Sequence, residues 1–256
     1  MIKLSTDSLD VGIKDEILIS NLNLSAIDGA LVIVGPSGCG KSTLLKTLAG
    51  LKKSNHGRVV FDDDLNSAHL RSAYVWQELA LMPWLRAFDT LKLALNIAYP
   101  RQDNKFKHEH IQRILSELGL LGIERRFPFE LSGGQQQRLA LAQALIGDPQ
   151  VLFLDEPFSA LDAMLREHLQ DSLKNLLIKR ACLMVMVTHD LQEAVYLGKN
   201  ILLLGPQGSR IHELIENPAY KALASATIRE DKDFQRMVAF LHQKMRTINT
   251  KFKPQA

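Results

Sequence analysis

The sequence predicts an α/β fold with a mainly parallel sheet covered on both faces by helices and interrupted by a helical insertion. Two observations carry that class. Short β-branched or apolar runs recur at 30–34, 58–61, 73–76, 151–154, 183–188 and 200–204, and helical patterns separate most of them. Between about 85 and 145 the rhythm changes, because FDTLKLALNIA and IQRILSELGL read as helices with no strand between them. With 256 residues, 46% of them hydrophobic, the chain can bury a sizeable core.

Composition removes several classes of function. A formal net charge of +3, with no basic stripe interleaved with aromatics, argues against a nucleic-acid partner. Two cysteines, Cys39 and Cys182, make no disulfide framework and fit a reducing compartment. The start, MIKLSTDSLD, lacks a basic segment followed by an apolar one, so no signal peptide is expected. The runs ACLMVMV (181–187) and ILLL (201–204) are far short of a membrane span.

Along the chain, the first element with chemistry is DGALVIVGPSGCGKSTLLKTLAG, residues 28–50. Strand LVIV runs into a turn that fits G-x-x-x-x-G-K-[ST]. The pattern arises by chance in roughly one chain of this length in a hundred, and the flanking strand and helix make it more specific still. Glycines let successive backbone N–H groups converge on phosphate oxygens at a helix N-terminus. The expected phosphate-binding residues are Gly35, Pro36, Ser37, Gly38, Cys39, Gly40, Lys41, Ser42 and Thr43. Lys41 would reach the β- and γ-phosphates, and Ser42 would ligate Mg²⁺.

LSGGQ at 131–135 has two compatible readings. Ser132 with Gln135 makes a capping box opening the helix QQQRLALAQAL, and a capped N-terminus with Gly133 and Gly134 is also an anion site. VLFLDEP at 151–157 supplies the acids: a buried strand presents Asp155 to a metal, and Glu156 is placed to orient or deprotonate a water. Leu161, Leu165, Leu169, Leu173 and Leu177 form one buried helical stripe. The last 40 or so residues read as polar and helical. Their end, QKMRTINTKFKPQA, is basic without any acid, which fits a solvated tail or a membrane-surface patch.

With the P-loop pattern, LSGGQ and the acidic strand in that order, the sequence resembles the ATP-binding cassette (ABC) ATPases from residue 10 or so to about 215. The resemblance implies a P-loop NTPase (RecA-like) core with an N-terminal antiparallel β part and a helical subdomain. It places the core at about 1–79 and 149–215, the helical subdomain at about 80–148 and a C-terminal helical tail at about 216–256, within one nucleotide-binding domain. It implies ATP and Mg²⁺ as ligands. Gln77 then matches a glutamine that contacts the metal or the water, Ser159-Ala160-Leu161-Asp162 a loop crossing the dimer interface, and His189 a histidine that touches the γ-phosphate. Two subunits pair head to tail, as a homodimer or pseudo-dimer, so each ATP lies between one P-loop and the other subunit's Ser132, Gly133, Gly134 and Gln135.

With no span of its own, such a subunit works on integral-membrane permease subunits at the cytoplasmic face, and indirectly with a periplasmic or extracellular solute-binding protein. ELALMPWLRAFDTLKLAL (78–95) and DEPFSALD are similar to the ATPase subunits of nitrate, sulfonate and taurine importers. Trp84 and Leu85 are either apolar contacts for the permease or, for Trp84, part of the core. An exporter's ATPase subunit and a soluble non-transport ABC protein are the alternatives. There are departures from the pattern. Relatives place an aromatic residue some twenty positions before the P-loop to stack on adenine, whereas residues 1–60 contain no Phe, Tyr or Trp and Ile13 lies near that place. Gln143 stands where relatives carry arginine, and LGKN (197–200) lacks an acid usual there.

Overall fold

A run such as ALVIV can be buried on both faces only in the middle of a sheet that helices or another sheet cover on each side. That is where it lies. The computed structural model describes residues 1–14, 16–62, 70–159, 161–207, 209, 212–223 and 226–251. Strand β1 (Leu4–Ile13) pairs antiparallel with β2 (Glu16–Ile27) and with β4 (His56–Phe61). The central sheet contains β3 (Ala30–Val34), β5 (Ser72–Val75), β6 (Val151–Asp155), β7 (Leu183–Thr188), β8 (Asn200–Leu204) and β9 (His212–Glu216), in the order β5-β6-β7-β3-β8-β9. Its pairings are parallel except β8 with β9. The run at 58–61 therefore belongs to the antiparallel sheet, not the parallel one.

Alternation along the central strands sorts the core into two layers. Leu31, Ile33, Phe153, Val185 and Val187 pack against β1, β2 and helix α1 (Lys41–Leu48). Val32, Val34, Leu152, Leu154, Met184 and Met186 face the helices on the other side. Those are α2 (Ala87–Ala98), α3 (Asn104–Glu117), α4 (Gly133–Leu145), α5 (Ala163–Lys179), α6 (Leu191–Leu197) and α7 (Lys232–Lys251). Helices α2 to α4 occupy the stretch read as strandless. Most of the leucine stripe behaves as its period requires: Leu169, Leu173 and Leu177 are buried on α5 and Leu165 packs against the same cluster, whereas Leu161 is buried but precedes the Asp162 cap and lies outside the helix.

The C-terminal segment departs from the polar reading. Phe234, Met237, Val238, Leu241 and Ile248 recur at helical spacing on one face of α7 and are buried, and that face packs against α6. Only the opposite face is solvated, and residues 252–256 of the basic ending lie outside the described residues.

Candidate functional site

Between β3 and α1 the backbone turns through Gly38 (φ 79°) and Gly40 (φ 101°), a conformation that a Cβ disfavours. Gly35 is required for a different reason: a Cβ there would meet Cys39 Sγ at 2.8 Å and the Leu204 carbonyl at 2.9 Å. The buried Lys41 ammonium bends back over this loop and donates to the Gly35 and Pro36 carbonyls, both at 2.9 Å. The next residue, Ser42, donates through Oγ to Asp155 Oδ1 at 2.8 Å, which ties the P-loop helix to the end of β6. The other carboxylate oxygen, Oδ2, accepts from Tyr74 OH at 3.1 Å. Burial first, and then the Asp155 charge, push the Tyr74 phenol well above its ordinary range, so it remains a donor.

The next residue reverses direction. Glu156 has φ 47°, and its N–H donates to the Val187 carbonyl at 3.0 Å. This bend brings its carboxylate to the end of β7, where Glu156 Oε2 lies 3.2 Å from His189 Nδ1. His189 itself is exposed, but its neighbours are fixed. Thr188 Oγ1 donates to Glu193 at 2.6 Å and accepts from Asp190 N–H, while Asp190 caps α6 through Gln192 and Glu193 N–H. Burial pushes the Glu193 carboxyl up, and Gln170 Nε2 donates to it at 3.2 Å.

The second anion site forms as its sequence suggests. Ser132 Oγ accepts from Gln135 N–H at 3.3 Å and Gln135 Oε1 accepts from Ser132 N–H at 3.1 Å, closing the capping box of α4. Gly133 is exposed, while Gly134 is buried against α5: a Cβ on it would sit 2.0 Å from Leu165 Cδ2. Helix α4 packs on the face of the sheet opposite α1, so one chain does not stack its own LSGGQ helix on its P-loop helix. Ser159 Oγ donates to the Glu156 carbonyl and Asp162 caps α5 through Leu165 N–H; Ala160 lies outside the described residues.

The comparisons agree with this geometry. The family described as ABC transporter matches residues 19–159. An aliphatic sulfonates import ATP-binding protein, SsuB, of Bacillus subtilis is 40% identical over 85% of this chain and 83% of its own. SsuB 2 of Burkholderia cenocepacia is 40% identical over 79% and 73%. Among solved structures, the dimeric ATP-binding cassette MJ0796 in a post-hydrolysis state with ADP and Pi superposes with a TM-score of 0.67. It is 31% identical, covering 83% of this chain and 98% of that one.

The chain belongs to the ABC transporter family.

As an ABC ATPase it binds and hydrolyses ATP. Not every expected residue is gathered at the site. Gln77 is exposed after β5 and, among the described residues, no hydrogen bond ties it to Ser42 or Asp155. Trp84 is 72% exposed, which removes the core-packing reading, and Leu85 is half-buried. Beside them an apolar groove of about 540 Å³ runs between β5, α2 and α4, with Trp76, Leu79, Met82, Leu93, Ile97 and Gln143 in its walls. Trp84 is outside that lining. Ile13 is 53% exposed at the end of β1. Phe234 is buried in the helical core and Tyr220 stacks near Lys174, so neither ring is on the hairpin side of the sheet.

Sequence reasoning missed Tyr74 as a partner of Asp155. The available signal was position alone: Tyr74 lies in a predicted strand, three residues before Gln77.

Proposed function

We propose that this ABC ATPase powers uptake of an aliphatic sulfonate, working as a dimer on two membrane permease subunits fed by a solute-binding protein. Among the described residues no helix is long and apolar enough to cross a membrane, and we assign the span to separate permease subunits. We place it peripherally at the cytoplasmic face. The import ATP-binding relatives favour this reading over an exporter subunit or a soluble ABC protein. The substrate class rests on their names, and the groove beside β5 is the surface we assign to the permease.

The observation that carries the catalytic part is the convergence of Asp155, Glu156 and His189 at the end of the P-loop helix. Phosphates would be held by the N–H groups of residues 38–43 and by Lys41. The Ser42 hydroxyl and the Asp155 carboxylate are hard oxygen donors 2.8 Å apart. Among the described residues no group of three or more His, Cys, Asp or Glu could hold a metal unaided. That donor set suits Mg²⁺ shared with substrate phosphates, where the ion would neutralise charge developing on the γ-phosphate. Glu156 accepts a proton from the attacking water or orients it, and His189 is held by Glu156 to face the γ-phosphate. Gln77, exposed on the loop after β5, would contact the metal or the attacking water. Ser132, Gly133, Gly134 and Gln135 of a second subunit complete the pocket, a reading supported by the separation of α4 from α1 across the sheet.

The test is uptake of labelled ethanesulfonate by cells in which Lys41→Ala replaces the wild-type protein. The proposal expects uptake at background, with a membrane protein co-purifying with the wild-type chain. Undiminished uptake would reject the sulfonate assignment.

A further inference from the structure

We propose that Tyr74 is a positioning residue for the metal site, the group that orients the Asp155 carboxylate from the neighbouring strand. The inference rests on the assignment of Ser42 and Asp155 to Mg²⁺. In the parallel register of β5 and β6, Tyr74 stands opposite Phe153, with ring centroids 6.4 Å apart. Asp155, two residues beyond Phe153, projects from the same face of β6. The length of the phenol closes the remaining gap, and Tyr74 OH donates to Asp155 Oδ2 at 3.1 Å.

Asp155 is thereby held at both oxygens by different elements: Ser42 on α1 fixes Oδ1 and Tyr74 on β5 fixes Oδ2. These two anchors set the plane of the carboxylate. Among the described residues β5 is the edge of the sheet, so Tyr74 has a strand on one side only. Its ring packs on the α1 face of the sheet, 4.3 Å from that of Trp76. Trp76 in turn sits beneath Lys46 of α1, with Nζ 5.6 Å from the ring centroid. The Tyr74 ring is thus held between Phe153 and Trp76, and its hydroxyl reaches the carboxylate.

Tyr74→Phe removes the hydroxyl and keeps the ring. The isolated subunit, loaded with a non-hydrolysable ATP analogue, is titrated with Mn²⁺ and the free ion is read by electron paramagnetic resonance. Loss of the hydrogen bond that orients a metal-ligating carboxylate predicts Mn²⁺ binding weakened by about tenfold to a hundredfold, with analogue affinity measured without metal unchanged. Equal Mn²⁺ affinity in Tyr74→Phe and wild type overturns the proposal. If the wild type binds no Mn²⁺ with the analogue, the metal-site assignment itself falls and takes this inference with it. A second measurement reads the Tyr74–Trp76 ring pair. In a Trp84→Phe background Trp76 is the remaining tryptophan, and adding Mg²⁺ to the loaded protein should change its emission. The change should vanish with Tyr74→Phe. An unaltered response in that variant contradicts the link, and matching melting curves exclude a folding defect as the cause.

Discussion

Glu156 Oε2 and His189 Nδ1 lie 3.2 Å apart although they follow different strands, β6 and β7. Two local devices make the pair. The left-handed turn at Glu156, fixed by its N–H bond to Val187, swings its carboxylate across to β7. The Thr188 and Asp190 side chains then hold the loop from which His189 projects. Since His189 is exposed, Glu156 is what orients it, and the two residues act as a unit.

Packing of the signature helix gives a prediction about stability. Gly134→Ala would put a Cβ 2.0 Å from Leu165 Cδ2, so Leu165 has to leave its rotamer or α4 has to shift. Such overpacking costs about 1–3 kcal/mol. The double variant Gly134→Ala with Leu165→Ala should recover part of that loss in a denaturant-melt cycle. Strict additivity of the two changes would mean that this contact does not limit the site.

A second prediction concerns acid stability. His110 is buried at the junction of α3 with the segment after α4, and its Nε2–H donates to the Ile146 carbonyl at 3.0 Å. Its Nδ1 accepts from Arg113, and Asp148 lies 3.8 Å away with Arg180 beyond it. Burial first, then the Arg113 charge, lower its pKa from 6.5, against a weaker upward pull from Asp148. A folded pKa below the unfolded one means that the unfolded chain binds the proton more readily. The contribution is therefore complete above pH 6.5 or so and is lost as pH falls below it. Gln at 110 offers one donor and one acceptor without titrating. His110→Gln should melt within about 1 kcal/mol of wild type at pH 7.5 and lose less stability between pH 6.5 and 5. Parallel pH profiles for the two proteins would reject this.

Much of the fold was legible because it is written in local periods. The Leu161–Leu177 stripe, the LVIV strand and the capping box at Ser132 each depend on neighbours within a turn or a strand. Strands β1 and β2 were not, because bulges interrupt their alternation: the β1–β2 register shifts repeatedly, and Ser8 sits at φ 46°. Strand β9, HELIE, is half-exposed at the sheet edge and lacks an apolar run. In the site, the P-loop and the acids were visible as motifs, whereas the Tyr74–Asp155 bond depends on which strand lies beside β6. No spacing within the chain reports that.

The base is the subject of a third prediction. Ile13 is exposed at the end of β1, and no aromatic residue precedes Phe61. Base stacking on an aromatic ring is worth about 1–3 kcal/mol, and about 1.4 kcal/mol is tenfold in affinity. Phosphate contacts do not read the base, so GTP should compete with ATP within about a hundredfold. Ile13→Tyr should tighten ATP binding by about tenfold. Competition binding on the isolated subunit checks both, and a preference for ATP beyond a hundredfold or so would show that another group recognises adenine.

Glu156 is the group we assign to act on water, and single-turnover ATP hydrolysis by Glu156→Gln tests that role most directly. The amide keeps the size and leaves the backbone N–H bond to the Val187 carbonyl in place, but it cannot take a proton. Hydrolysis should fall by roughly 10²–10⁴, with ATP binding retained and a stable dimer appearing on size exclusion in the presence of ATP. Turnover near the wild-type rate, with binding intact, would contradict the assignment.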